Sequence, residues 1–508
     1  MSDSLSLAIR MLTDPYVIFV IIISSLYGLF VGAMPGLTAT MAAALLIPIT
    51  FFMDPMPALA AIVTMVAMAV FAGDIPGALV RIPGTPASAA YTQDSYELSK
   101  QGQCELVLGV DLVFSIIGGL IGTVILIISA PILAEYAMKF TSFEYFWLAT
   151  LGLSTSVVVA KATPAKGALA LLFGVFLSTI GIDITLGYPR FTFGNVDLLG
   201  GINFIPAMIG LFGISEVLRN VMGGELEYPI AKVKTSKIFT GLWSLTKKYK
   251  VNVVRSGLIG TVVGILPGAG ADIAAWVAYG VAKKFSKKPE KFGSGAIEPI
   301  IDAGTANNSA LAGVWVPTLV FGIPGDTVTA IVIGVLYMKG LRPGPMIFMR
   351  EPGLIYAIYF TFVLANLLML PFGYLAIKFS SNVLKVPKKF LLPAILTFCT
   401  VGSFAINNSL FDVGIMLVLG VIGYLMEEND IPVAPVVLGL VLGPILEKNF
   451  MISMIKTEWN VLQFFSRPIS AILGGMTVLL WLSPILMSLL KKRMGRVAQP
   501  TESKSSSA

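Results

Sequence analysis

Four Pro-Gly pairs lie inside apolar sequence, each followed by small, hydroxyl-bearing or acidic residues. They are Pro35-Gly36-Leu37-Thr38-Ala39-Thr40, Pro83-Gly84-Thr85-Pro86-Ala87-Ser88, Pro267-Gly268-Ala269-Gly270 with Asp272 close behind, and Pro324-Gly325-Asp326-Thr327. Proline stops a helix, and glycine lets the backbone turn or approach a ligand closely. A helix that restarts after such a pair presents free N–H groups carrying partial positive charge, and the neighbouring hydroxyls add donors. Each element is therefore suited to bind a carboxylate. One such element alone is more readily a plain kink or loop; four in one chain, related by repeat, point to a shared anion site. Arg81, just before Ile82-Pro83, can pair with a substrate carboxylate, bind Asp74 or extend to an interface. The sequence leaves all three open.

A second group is Asp302-Ala303-Gly304-Thr305-Ala306-Asn307-Asn308-Ser309, too polar to face lipid. Asn307, Asn308, Ser309 and Asp302, with unwound main-chain carbonyls, offer hard oxygens suited to a small cation. Asp272 and Asp326 can add charge, although each can equally cap the helix it precedes. Acids at membrane depth are costly and are functional hypotheses by default. Asp74 is a weaker candidate of the same kind. Asn407-Asn408-Ser409 reads as loop structure.

Other chemistries are closed off. With no histidine, imidazole metal sites, His-based triads and His proton relays are excluded. Cys104 and Cys399 are too far apart for a CxxC motif. No GxxxxGK[ST] nucleotide loop occurs. The chain reads as a carrier, not an enzyme, and its energy must come from an ion gradient or another subunit. The absent histidines favour sodium, or a proton borne on a carboxylate, as the coupling ion.

The elements that hold these residues are set by composition. Of 508 residues, 56% are hydrophobic and 12% charged, against about 25% charged in soluble domains. Thirteen apolar stretches run from 16–52 to 468–490, and a span needs about 20 apolar residues. The pattern predicts an all-α integral membrane protein with about ten to twelve transmembrane helices plus re-entrant hairpins. The net charge of +7 is unevenly spread. Segments 223–255, 283–291, 378–389 and 491–496 hold 7, 5, 4 and 4 of the 35 basic residues and only Glu225, Glu227 and Glu290. The rest of the chain carries 15 basic against 25 acidic residues. That is the pattern of cytoplasmic loops under the positive-inside rule, and not a nucleic-acid footprint. No cleavable signal peptide is visible at the N-terminus.

The chain also repeats itself. Gly32-Ala-Met-Pro-Gly returns as Gly264-Ile-Leu-Pro-Gly, and Ile82-Pro-Gly-Thr returns as Ile323-Pro-Gly-Asp. The units are an N-terminal segment (1–15), a first membrane repeat (16–222), a basic cytoplasmic linker (223–255) and a second repeat (256–465). A C-terminal transmembrane helix (466–490) and a disordered cytoplasmic tail (491–508) complete the chain. Matched loops carry opposite charge bias: 53–57 against 283–291, 134–144 against 378–389, and Lys161 to Lys166 against Asn407 to Asp412. Opposite bias means opposite sidedness, so the repeats are expected to be inverted in topology. Segment 256–282 has lysines on both flanks, and Ser256 to Leu266 spans only ~16 Å as helix. It is expected to enter the membrane, turn at Pro267-Gly268 and return. The first repeat then carries a second hairpin, entering from the other face around Pro35-Gly36, with the N-terminus periplasmic.

With those residues in view, the sequence resembles the TctA family, the large membrane subunit of the tripartite tricarboxylate transporters, over nearly its whole length. The most specific stretch is Lys288-Pro-Glu-Lys-Phe-Gly-Ser-Gly-Ala-Ile-Glu-Pro299, followed by Ala306-Asn-Asn-Ser309, Gly322-Ile-Pro-Gly325 and Gly340-Leu-Arg-Pro-Gly-Pro345. The resemblance implies a multi-pass protein of the bacterial inner membrane that imports an organic carboxylate, tricarboxylate- or dicarboxylate-like, by sodium-coupled symport and alternating access. It implies two partners, a small membrane subunit and a periplasmic solute-binding protein. A stand-alone symporter needing no binding protein is the alternative. Phe71 to Arg81 departs from the Gly/Ser/Thr-rich family pattern, which leaves the particular carboxylate open.

Overall fold

In the computed structural model the described residues are 2–34, 37–159, 163–183, 185–222, 238–383 and 388–497. Pro35 and Gly36 of the first turn, Lys161, residues 223–237 of the linker and the tail from 498 lie outside them. The molecule is all α-helical apart from a two-residue antiparallel pair, Gly181–Ile182 with Pro189–Arg190, among the described residues. Among the described residues seven helical segments are long and apolar enough to cross a membrane: Pro15–Gly32, Pro55–Val80, Thr92–Ala137, Phe204–Met222, Pro352–Ser380, Leu410–Glu428 and Ala434–Lys456. Five apolar helices among the same residues are shorter, Ala39–Phe51 and Thr327–Met338 included. Each of these two starts just past a Pro-Gly pair, as a half-helix does.

The second hairpin is formed as expected but is longer than its sequence reading. Its entering leg is Lys250–Ile265, 16 residues, where the sequence suggested a start at Ser256. It begins at Lys250 because Tyr249 already ends the preceding turn, and at ~24 Å it still falls short of a ~30 Å hydrocarbon core. The returning leg is Gly270–Phe285. The Arg255 guanidinium lies over the Phe285 ring at 5.7 Å, so the two open ends sit side by side. In the first hairpin the Tyr27 hydroxyl bridges the legs by donating to the Ala42 carbonyl at 3.3 Å.

Each entering leg packs on a long helix through the same device. A Cβ at Gly28 or Gly32 would overlap the carbonyl oxygens of Met65 and Ala69 in Pro55–Ala72. A Cβ at Gly260 or Gly264 would overlap those of Ala306 and Ala310 in Glu298–Gly313. Small residues that let backbones touch are the usual means of joining helices in lipid, where hydrophobicity gives no preference. The sequence repeat relates the two sets: Gly28 and Gly32 map onto Gly260 and Gly264 at the spacing of the first motif pair, and Met65 and Ala69 onto Ala306 and Ala310 at that of the second.

Two expectations need correction. Asn307 to Ser309 lie within the continuous helix Glu298–Gly313, so no main chain is unwound there. The C-terminal helix runs from Pro468 to Val497, past the boundary expected at 490, because Lys491 to Val497 contains no breaker except Gly495.

Candidate functional site

Residues that flank the four Pro-Gly pairs touch one another. At the second, Gly84 donates its N–H to Gly73 O at 2.9 Å, and a Cβ on Gly84 would lie 2.6 Å from Gly73 Cα and 3.0 Å from Gly32 O. The missing side chain is what lets the second turn close on the end of the first entering leg. At the third, Gly268 takes a left-handed φ of 80° and donates to Gly325 O at 2.9 Å. The Thr155 hydroxyl donates to Pro267 O. The Thr40 and Thr327 hydroxyls bond each other at 3.1 Å, joining the helix that follows the first Pro-Gly pair to the residue just past the fourth. Asp272 Oδ1 accepts from Ala87 N–H at 3.1 Å, joining the third to the second.

The caps at the turns recur at the spacing that carries Ile82 onto Ile323. Thr85 and Ser88 exchange N–H to hydroxyl bonds of 3.1 Å in both directions. Asp326 and Thr329 do the same at 2.8 Å each way, a capping box that opens Thr327–Met338. Arg81 and Gly322 are both left-handed helix ends, their N–H groups bonded to Pro76 O and Pro317 O. Thr38 caps Ala39–Phe51 by accepting from Met41 N–H at 3.1 Å.

Of the residues assigned to a carboxylate, Leu37, Gly84, Thr85, Ser88, Pro267, Gly270, Pro324 and Gly325 are buried at or beside the turns. Thr38, Gly268 and Thr327 are half-buried, and Arg81 and Pro83 are exposed. Asp74 is buried and makes no ion pair with Arg81, which removes one of the three roles open to that arginine.

The six residues assigned to a cation do not gather in one place. Asp302 is paired with Arg255 at 2.7 Å and accepts from Asn252 at 2.8 Å and from the Ser256 hydroxyl. Ser309 shares a hydrogen bond with Thr261 at 2.6 Å and donates to Gly257 O at 2.7 Å. Asp326 is occupied as a cap and Asp272 is exposed beside Ala87. Asn307 and Asn308 remain, side by side and buried, facing a polar cluster that includes Tyr91 and Asp111. Sequence reasoning passed over both. Asp111 had left a signal, being an acid within the apolar stretch 106–134; Tyr91 had left none.

Away from the turns, a cavity of about 400 Å³ is lined by Ile182, Arg190, Tyr337, Pro444 and Glu447, among others. Arg190 and Glu447 close one wall with paired bonds of 2.6 and 3.1 Å.

This architecture defines an all-α, multi-pass membrane protein in which residues flanking four Pro-Gly pairs meet. The chain belongs to the tripartite tricarboxylate transporter TctA family, whose family model matches residues 18–438. It is 33% identical over 495 residues to an uncharacterized 52.8 kDa protein of Agrobacterium vitis from the TAR-I ttuC' 3' region, covering 97% of each chain. It is 35% identical over 234 residues to an uncharacterized protein of the TAR-II ttuC' 3' region of the same organism, covering 46% of this chain and 97% of that one. No solved structure matches the chain.

Proposed function

We propose that this chain is the membrane subunit through which an organic di- or tricarboxylate enters the cell by cation symport, after delivery by a periplasmic binding protein and together with a small membrane subunit. The observation that carries this reading is the meeting of residues that flank the four Pro-Gly pairs, through Thr40–Thr327 and Ala87–Asp272. Half-helix N-termini and hydroxyls converge there, the arrangement that suits a carboxylate. Arg81 and Asp272 are exposed beside the second and third turns. A charge held at membrane depth needs water or a partner ion, which fits a wet cleft with Arg81 available to a substrate carboxylate.

Inverted repeats give such a site two faces. The repeat-spaced glycine contacts and reciprocal caps support two copies of one unit. The loop contacts support opposite sidedness: Lys339 donates to Phe51 O at 2.7 Å, whereas Gly293, Gly295 and Ala296, just beyond the basic segment 283–291, donate to Asp94. In this reading the bacterial inner membrane holds the chain with 283–291 in the cytoplasm.

Uptake of labelled carboxylates into proteoliposomes holding both membrane subunits, with and without the binding protein, tests the proposal. Uptake that requires the binding protein is the expected result. Uptake without it would favour a stand-alone symporter, and no uptake of any carboxylate under any ion gradient would reject the carrier reading.

A further inference from the structure

Among the buried side chains of the described residues whose polar atoms lack a hydrogen-bond partner, five are neighbours: both carboxylate oxygens of Asp74 and of Asp111, the Tyr91 hydroxyl, both polar atoms of the Asn307 amide, and Asn308 Oδ1 are without one. Asp74, Tyr91, Asp111, Asn307 and Asn308 are each at most 4% exposed. They come from four segments. Asp74 opens the short helix Asp74–Val80, Tyr91 precedes Thr92–Leu98, Asp111 lies in Cys104–Ala137, and the two asparagines lie in Glu298–Gly313.

The cluster is contiguous. Tyr91 lies within interaction range of Asp74, Asp111 and Asn307, and Asp74 within range of Asp111. Asp111 Oδ1 would be 3.4 Å from a Cβ on Gly304, and Asn308, one turn beyond Gly304, donates to Ser115, one turn beyond Asp111, at 2.8 Å. None of the ion pairs among the described residues involves Asp74 or Asp111. Two adjacent carboxylates without a counter-charge are not sustainable in a low-dielectric interior.

The fold does not require this polarity. At the spacing that relates Ile82 to Ile323, the first-half counterparts of Asn307 and Asn308 are Val66 and Ala67, and the second-half counterpart of Asp74 is Trp315. Val66, Ala67 and Trp315 line a small apolar void with Phe362, and the Trp315 and Phe362 rings meet edge to face at 5.4 Å. The same place in the other half of the molecule is thus filled by hydrocarbon.

We propose that Asp74, Tyr91, Asp111, Asn307 and Asn308 bind the coupling ion, a single Na⁺. The carboxylates supply the charge, and the tyrosine hydroxyl and two amide carbonyls supply neutral oxygens. One Na⁺ and one proton shared by the aspartates together neutralise the two carboxylates; a proton alone would leave both amide carbonyls without a partner, which Na⁺ supplies. A divalent ion held by two carboxylates would bind too tightly to leave in each cycle. The assignment deepens the carrier reading and rests on it.

The test measures radiolabelled Na⁺ binding to the full-length detergent-solubilised chain, with K⁺ as competitor, and carboxylate uptake driven by a Na⁺ or a pH gradient. Wild type is expected to bind Na⁺ over K⁺, and Asp111→Asn and Asn307→Ala to lose about tenfold or more in Na⁺ affinity. Tyr91→Phe, which removes one oxygen and keeps the ring, gives a milder loss and serves if the charge variant does not fold. Na⁺ binding at wild-type strength in folded Asn307→Ala and Tyr91→Phe, or wild-type uptake driven by pH alone, would overturn the proposal. Loss of Na⁺ binding in the variants, with no carboxylate uptake by wild type under any gradient, would uphold the site and reject the carrier reading instead.

Discussion

Asp326 shows how one residue can satisfy two readings of a sequence and only one geometry. Its carboxylate and backbone N–H close a capping box with Thr329, the role that Thr85 and Ser88 share in the other half. Asparagine caps a helix as well as aspartate does, whereas alanine costs about 1 kcal/mol. Asp326→Asn should therefore keep wild-type thermal stability and Na⁺ dependence, and Asp326→Ala should unfold at lower temperature. Equal loss of Na⁺ dependence in both variants would make Asp326 an ion ligand after all. The Pro-Gly turns were legible because their signal is local: proline and glycine punctuate the backbone wherever they stand. The Asp74–Tyr91–Asp111–Asn307 cluster was not, since its members come from both halves of the chain and only packing brings them together. Asp302 read as a candidate ligand because its partner Arg255 was counted with the basic linker.

At the scale of elements, the stretch that most resembles the TctA family finds a structural use. Asp94 Oδ1 accepts N–H groups from Gly293, Gly295 and Ala296 at 2.8, 3.1 and 3.0 Å, fixing 293–296 against the helix Thr92–Leu98. Gly295 needs its φ of 100° to turn its N–H inward. Asp94→Ala leaves three donors without their acceptor, at a cost of about 3 kcal/mol. Amide exchange across 293–296 should accelerate in that variant; unchanged exchange would mean that the loop is held elsewhere. The loop after Gly181 carries a pH-dependent tie of its own. Backbone N–H groups, Leu186 first, hold the Asp183 carboxyl below its ordinary range, with Arg190 adding to them. A depressed carboxyl stabilises the turn above the unfolded value of about 4 and releases it as pH falls through the lowered folded value. Exchange across 185–190, corrected for intrinsic rate, should be steady from pH 7 to about 5 and rise below about 4. A rise already complete at pH 5 would contradict the assignment.

At the scale of the whole molecule, composition and loop charge were enough to read an all-α membrane protein, and the family model and the helices agree with that reading. Among the described residues seven spans are long enough to cross and five apolar helices are shorter, as expected of a chain that mixes full crossings with half-helices. The inverted arrangement has a direct test. Cysteines placed at Asp54 and Lys287, in chains with Cys104 and Cys399 replaced, should react with an impermeant thiol reagent from opposite sides of the membrane. Labelling from the same side would make the duplication parallel. The central claim is that the four turns together hold the transported carboxylate. It is tested most directly by labelled-carboxylate uptake in proteoliposomes containing either wild type or the near-isosteric double variant Thr40→Val/Thr327→Val, inserted at equal levels. Uptake reduced by about tenfold or more, the scale of losing a hydrogen bond to a charged group, is the predicted result; uptake equal to wild type would contradict it.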